Sequence, residues 1–254
     1  MRRDSLKVRG DVMRAWGATD QGKARTDNQD VYYFSFDDDM ALCVVCDGIG
    51  GARAGKVASK VACDTAVDEI KRRRKPGQKA TSCKKHISEA LEIANQVVYR
   101  MSQTNDNYNG MGTTMVGALI CGGETLIFNI GDSRAYLLSS SKLKRITRDH
   151  STVEDMVEQG NITAEEARSH PNRHLITRAL GTDDSVECDF YPLRANKGEW
   201  LLFCSDGLND MLEDHEIEEI MNKDADMSGC YKRLIDEANA RGGLDNITVV
   251  IVAL

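Results

Sequence analysis

Four aspartates in this 254-residue chain stand at the ends of apolar, strand-like runs, each beside Gly, Ser or Asn. Asp47-Gly48 follows Ala41–Cys46, Gly131-Asp132-Ser133 follows Leu126–Ile130, and Ser205-Asp206-Gly207 follows Trp200–Cys204. Asp245-Asn246 runs the other way and opens Ile247–Val252. A carboxylate beside a hydrophobic strand is costly to desolvate unless something compensates it. One could be a turn residue, whereas four suggest convergence on a shared positive charge, most simply a metal ion. Oxygen ligands suit hard cations such as Mg²⁺, Mn²⁺ or Ca²⁺ rather than zinc. Asp47, Asp132, Asp206 and Asp245 could serve two cations about 4 Å apart, an arrangement that generates hydroxide at neutral pH and clamps an in-line phosphoryl displacement. The aspartates are too scattered for an EF-hand loop.

Arg25-Thr-Asp-Asn-Gln-Asp30 adds a guanidinium five residues before a further carboxylate. Arginine is the preferred bidentate partner of a phosphate dianion. Taken alone, the segment also fits a surface turn with a loose ion pair.

The elements that must position these groups follow from periodicity. Val12–Thr19 and Val31–Phe36 read as strands, and Asp37–Asp39 as a solvated hairpin turn into Met40–Cys46. Val57, Val61, Ala62, Ala66 and Ile70 mark one helix face; Ile87, Leu91, Ala94, Val98 and Met101 mark a second. Strands resume at Thr113–Cys121, Thr125–Ile130 and Ala135–Leu138. Residues 151–175 are charged, with short helical pieces, and Thr163-Ala-Glu-Glu166 fits a capping box; the stretch reads as a surface insertion. Strand Glu199–Cys204, helices near Asp210–Asn222 and Ser228–Ala240, and a last strand at Ile247–Ala253 complete the chain. Long helices do not alternate with single strands, so antiparallel sheets with helices packed in pairs outside fit better than a doubly wound parallel sheet.

Composition narrows the function. The formal charge of −7 makes nucleic acid a poor default partner. The basic run Lys71–Lys75 reads as a solvated helix end. No apolar stretch approaches the roughly 20 residues of a membrane span, and the N-terminus lacks the apolar core of a signal peptide. Most of the eight cysteines lie in apolar runs, as expected for buried free thiols in a reducing compartment. Cys43-Val-Val-Cys46 lies within a strand pattern and has no partner pair at zinc spacing. A cytoplasmic protein follows as the expectation.

The segments Arg25–Asp30, Val45-Cys-Asp-Gly-Ile-Gly-Gly51, Gly112-Thr-Thr114, Asn129–Tyr136, Thr147–Ser151, Ile176–Gly181, Leu202–Leu208 and Asp245–Thr248 resemble, in order, the motif set of the type 2C metal-dependent protein serine/threonine phosphatases. Each is weak alone; eight in sequence, from about residue 12 to the end, are specific. The resemblance is to a compact bacterial-type member without appended domains: one catalytic domain over 1–254, with residues 151–175 as the flap beside the active site. It implies an α+β fold, a four-layer α-β-β-α sandwich of two antiparallel sheets flanked by helix pairs.

The resemblance also assigns roles. Asp30 would hold metal-bound water, and Asp47 would bridge two Mn²⁺ or Mg²⁺ ions, with the Gly48 carbonyl as a ligand to one. Asp206 and Asp245 would complete the other ion's shell, and Asp132 would share a third, weaker ion with Asp206. Arg25 would grip the substrate phosphate. The implied reaction is hydrolysis of phosphoserine and phosphothreonine in proteins by a hydroxide between the two metals, with Arg25, Asp30, Asp47 and Asp206 as catalytic residues. The implied partners are a cytoplasmic serine/threonine kinase and its targets, met by a monomer. Two positions depart from the pattern. Ile49 stands where many members carry a proton-donating His, leaving metal-bound water to protonate the leaving group; Gln29 stands where relatives often have Glu. His150 reads as a structural residue of its turn rather than a replacement acid, and His174 as a residue near the flap edge. The alternatives are a pseudophosphatase scaffold, a phosphatase tuned to a small regulatory phosphoprotein such as an anti-sigma-factor antagonist, and a non-protein phosphomonoesterase.

Overall fold

The computed structural model describes residues 2–8, 11–37, 39–51, 53–194, 196–223 and 227–254, with side chains from residue 13 onward. The elements run β1 (Arg2–Val8), β2 (Asp11–Asp20), β3 (Val31–Asp37), β4 (Met40–Cys46), β5 (Gly48–Ile49), α1 (Ala54–Arg73), α2 (Lys84–Thr104), β6 (Gly112–Thr113), β7 (Met115–Cys121), β8 (Glu124–Ile130), β9 (Arg134–Ser139) and β10 (Lys142–Arg145). They continue with α3 (Thr152–Glu158), α4 (Ala164–Ser169), β11 (Asp189–Leu193), β12 (Trp200–Cys204), α5 (Asp206–Asn209), α6 (Asp214–Asn222), α7 (Cys230–Ala240) and β13 (Ile247–Ala253).

Two antiparallel sheets result, ordered β1-β2-β13-β12-β9-β10 and β11-β8-β7-β4-β3. Strand alternation sends one set of side chains to each face. In β4, Ala41, Cys43 and Val45 enter the core between the sheets, while Leu42, Val44 and Cys46 pack against α1 and α2. In β13, Val250 and Val252 face the other sheet, while Val249 and Ile251 pack under α6 and α7. Three apolar cores separate four layers, the α-β-β-α sandwich expected from the sequence. The same alternation puts Cys43 and Cys46 in different cores, so this CxxC pair cannot share a metal. All eight cysteines are free thiols, seven of them buried.

Several elements differ from the periodicity reading. The buried face of α1 centres on Ala58, Ala62, Cys63 and Ala66, with Val57 and Val61 only half-buried. Small residues here let the helix approach its partner closely, and a reading weighted to large apolar residues turns the face aside. Strands β1, β10 and β11 were not foreseen. β11 is an edge strand, which is why it tolerates Pro192. The helix expected from Asp210 is two: Asp206 through Asn209 form a single turn and α6 starts at Asp214.

The acidic turn and the basic run, both expected to be solvated, meet. Arg74 grips the Asp39 carboxylate, which also accepts from the Gly77 amide at 3.0 Å, and this holds the Asp39 carboxyl down at about 2. Lys71 lies 3.1 Å from Asp37, and Arg73 bridges Glu69 and Glu89. The β3–β4 turn is thereby tied to the end of α1; Asp38 lies outside the described residues.

Residues 151–175 contain α3 and α4, each capped by a hydroxyl, and α4 carries the full Thr163–Glu166 capping box. Ser151 pairs with Ile176 across the base of the segment.

Candidate active site

The four strand-end aspartates come together. Asp47, Asp132, Asp206 and Asp245 line one cleft of about 410 Å³ with Arg25 and the Gly48 backbone. Asp30 is 5% exposed and stands behind it.

Each aspartate is held by a motif from elsewhere in the chain. The Asp47 carbonyl accepts from the Thr114 amide (2.9 Å) and the Thr113 hydroxyl (2.7 Å), and its amide donates to the Thr114 hydroxyl (3.0 Å). Gly48 packs so closely that an added Cβ would lie 2.3 Å from the Gly55 carbonyl oxygen. Asp132 follows Gly131, whose φ of +103° and contact with Thr114 exclude a side chain. The Gly131 amide donates to His150 Nδ1 at 3.0 Å, and its carbonyl accepts from the His150 amide at 3.0 Å. Arg134 and Asp149 form a buried bidentate pair, with a shortest contact of 2.7 Å, that locks β9 to the His150 turn. The Ser205 and Thr248 hydroxyls, flanking Asp206 and Asp245 in sequence, both donate to Asp30 Oδ2 at 2.7 Å. Asn246 accepts from the Gln29 amide (2.9 Å) and donates to the Gln21 and Asp27 carbonyls (2.9 Å each), so it fastens the Arg25 loop to β13.

The electrostatics demand a counter-charge. Burial, then repulsion from neighbouring carboxylates, pushes Asp47 and Asp206 far above the ordinary carboxylate range. Burial and Asp149 raise Asp132 to about 7, and burial raises Asp30 to about 6 against its two hydroxyl donors. Asp30 Oδ1 and Asp206 Oδ1 are buried without a hydrogen-bond partner. Orphaned buried carboxylate oxygens in an oxygen-only site fit hard divalent cations. Arg25 supplies part of it: its Nη2 lies 2.6 Å from Asp245 Oδ2.

Two residues were undervalued in the sequence. Asp210 lies one helical turn after Asp206 on the same face, a spacing that could have identified it. Among the described residues, His174, Asp206 and Asp210 bring ligand atoms within 4.8 Å of one another. His174 Nδ1 is 3.5 Å from Asp210 Oδ2, and both residues line the cleft. His150 is 1% exposed and turned away from the cleft: Nδ1 accepts from Gly131, so Nε2 carries the proton, 3.2 Å from Asp189. These contacts hold the turn that carries it against Gly131. Ile49 faces the cleft and Gln29 lines it.

Residues 20–240 match the family model described as protein phosphatase 2C. The serine/threonine phosphatase stp of Listeria monocytogenes is 36% identical over 241 residues, covering 94% of this chain and 95% of that protein. The solved structure of the serine/threonine phosphatase Stp1 from Staphylococcus aureus superposes with a TM-score of 0.89 at 34% identity, covering 100% of this chain and 98% of that one. The catalytic domain of the serine/threonine protein phosphatase PstP, solved in complex with two manganese ions, superposes with a TM-score of 0.82 at 32% identity over 95% of this chain and 97% of that one. With this likeness over nearly its whole length, and a carboxylate cleft that calls for divalent cations, the chain belongs to the protein phosphatase 2C family and is a metal-dependent protein serine/threonine phosphatase.

Proposed function

We propose that the cleft removes phosphate from phosphoserine and phosphothreonine of proteins with two Mn²⁺ or Mg²⁺ ions held by Asp47, the Gly48 carbonyl, Asp206 and Asp245. A third, weaker ion would sit at Asp132 and Asp206, with Asp210 and His174 adjoining. When bound, the ions offset charge on the phosphoryl oxygens and lower the pKa of the attacking water. Arg25 then exchanges Asp245 for the phosphate and holds two of its oxygens by charge-assisted bonds. Asp30, fixed through Oδ2 by Ser205 and Thr248, turns its free Oδ1 to orient water for in-line attack. Ile49 donates no proton, so the leaving alkoxide takes one from water in the open cleft. No thiol takes part, and no phospho-enzyme forms.

The observation that carries this reading is the set of carboxylates gathered from distant strand ends into one cleft with Arg25, two of them with strongly raised proton affinity and one with an orphaned oxygen. A scaffold that had lost catalysis would have no need to retain so costly a site.

The same reading makes residues 1–254 one catalytic domain, acting as a monomer, with residues 151–175 as a flap over the cleft. No helix among the described residues is long and apolar enough to cross a membrane. A cytoplasmic signalling role, opposing a serine/threonine kinase and its targets, is the setting we infer. The test is hydrolysis of a phosphothreonine peptide by metal-stripped protein with Mn²⁺, Mg²⁺ or Ca²⁺ restored. Recovery with Mn²⁺ or Mg²⁺ but not Ca²⁺ is expected; folded protein inactive with every ion would overturn the reading.

A further inference from the structure

The cleft is lined by aliphatic as well as ionic side chains, with the exposed Arg173 and His174 among the latter. Ile49, Ile176, Met211 and Leu244 face the same cavity as Arg25 and the carboxylates. Leu244 is 55% exposed, and Leu175, beside Ile176, is 54% exposed. The one other exposed large hydrophobic among the described residues, Val97 on α2 at 36%, does not line the cleft.

Ile49, Ile176 and Met211 are half-buried, and the exposed Leu244 and Leu175 stand on backbone that is pinned. The Leu175 carbonyl accepts from the Thr152 amide at 2.9 Å, and its amide donates to the Asn172 carbonyl at 3.0 Å. Leu244 follows Gly243, whose carbonyl accepts from the Lys23 and Ala24 amides at 2.7 and 3.1 Å. The loop that presents Leu244 is therefore tied to the loop that presents Arg25. Met211 and Leu244 both adjoin Gly242, so they form one surface rather than two isolated contacts. Apolar groups fixed in water and unable to retract are stabilised only when something apolar covers them.

The substrate supplies the cover. A phosphoresidue on Arg25 carries its chain neighbours within about 3.3–3.6 Å per residue along the backbone, and the four aliphatic side chains share the cleft with Arg25. We propose that the rim of Ile49, Ile176, Met211 and Leu244 binds an aliphatic side chain directly flanking the phosphoresidue. The substrate class is thus phosphoserine or phosphothreonine with an aliphatic neighbour. This inference rests on the reading of Arg25 as the phosphate-holding residue.

The test uses two phosphothreonine peptides that differ only at the two flanking positions, Leu in one and Ser in the other, with the Mn²⁺-loaded protein. Covering roughly half a leucine side chain corresponds to a fivefold to tenfold effect on kcat/KM, which is about what the Leu peptide should gain. Leu244→Ser should bring the ratio towards one, Ile49→Ser repeats the test at a second rim position, and Val97→Ser should leave the ratio as it was. The readout is a ratio within one protein, so a general loss of activity cancels. A ratio near one in the wild type, or an unchanged ratio in Leu244→Ser and Ile49→Ser, overturns the rim assignment alone. Hydrolysis of neither peptide removes the catalytic reading and this inference with it.

Discussion

Arg25 and Asp245 are 220 residues apart in sequence, and their side chains meet at 2.6 Å. The residue assigned to the substrate phosphate and a residue assigned to a metal ion thus hold each other. Arg25 is half-exposed, so this contact is a modest restraint that a better-charged partner replaces.

Replacing Arg25 should therefore act on substrate binding. Arg25→Ala is expected to raise KM for a phosphothreonine peptide roughly tenfold or more, the size of one or two charge-assisted hydrogen bonds. Arg25→Lys should recover only part of this, because a point charge cannot bridge two oxygens. Steady-state kinetics on the three proteins decides the matter. An unchanged KM in Arg25→Ala would remove the residue from phosphate binding.

Asp47 and Asp206 should separate activity from stability. Asp47→Asn and Asp206→Asn are expected to abolish peptide hydrolysis while the fold persists. In metal-stripped protein each should raise the melting temperature, since an amide relieves the repulsion among desolvated carboxylates; the gain should be about 1–3 kcal/mol. Thermal melts in chelator, beside the activity assay, report both. Near-wild-type turnover in Asp206→Asn would sink the two-metal assignment.

The pH dependence of the metal-free protein has a definite sign. Asp30 and Asp132 have folded-state pKa values raised to about 6 and about 7. The folded state thus binds more protons than the unfolded chain between about pH 4 and pH 7. Their contribution to stability is full below about pH 4 and is lost as pH rises through 6 and 7, a loss on the order of a few kcal/mol. Melting temperatures in chelator should fall across that window. Millimolar Mn²⁺ should flatten the curve, with its largest upward shift at pH 7 and above. A metal-free melting temperature that climbs from pH 5 to pH 8 would falsify the assignment.

His150 tests the support behind the cleft. His150→Ala leaves the Gly131 amide without its acceptor and opens a void, which should cost about 2–4 kcal/mol. Burial holds this imidazole below its ordinary pKa, so the wild-type residue stays neutral at pH 7. Activity lost in His150→Ala should track lost Asp132 placement rather than a missing proton. The pH profile of residual kcat should keep its wild-type shape; loss of an acidic or basic limb would make His150 a participant in catalysis.

Legibility from the sequence depended on scale. Asp47, Asp132, Asp206 and Asp245 could be read because the same feature, an aspartate at the end of an apolar strand, recurs four times, which turn chemistry alone does not require. The antiparallel sheets with paired outer helices could be read from the order of elements, and the four-layer stacking from the family resemblance, whereas β4 and β13 are apolar on both faces and show no alternation in the sequence. β11 was hidden by Pro192 and by half-burial, which leave no clean period of two. The buried face of α1 was read correctly at Ala62, Ala66 and Ile70 but drawn towards Val57 and Val61, because Ala58 carries little apolar weight. The Arg74–Asp39 clasp and the His174–Asp210 contact join segments distant in sequence, and no local pattern announces such pairs. Asp210 was within reach, since its four-residue spacing from Asp206 is a helical signal.

The thiols distributed through the three cores have a practical meaning of their own. Burial pushes Cys43 and Cys204 up to about 12, so neither presents a thiolate to an alkylating reagent at neutral pH while the chain is folded. Opening of the sandwich releases them to ordinary reactivity. The rate at which a maleimide consumes these two residues is then a clock for excursions of the native state, readable by mass alone. Because Cys43 lies between the sheets and Cys204 beneath α6 and α7, comparing the two rates tells whether the inner and outer layers come apart together or in turn.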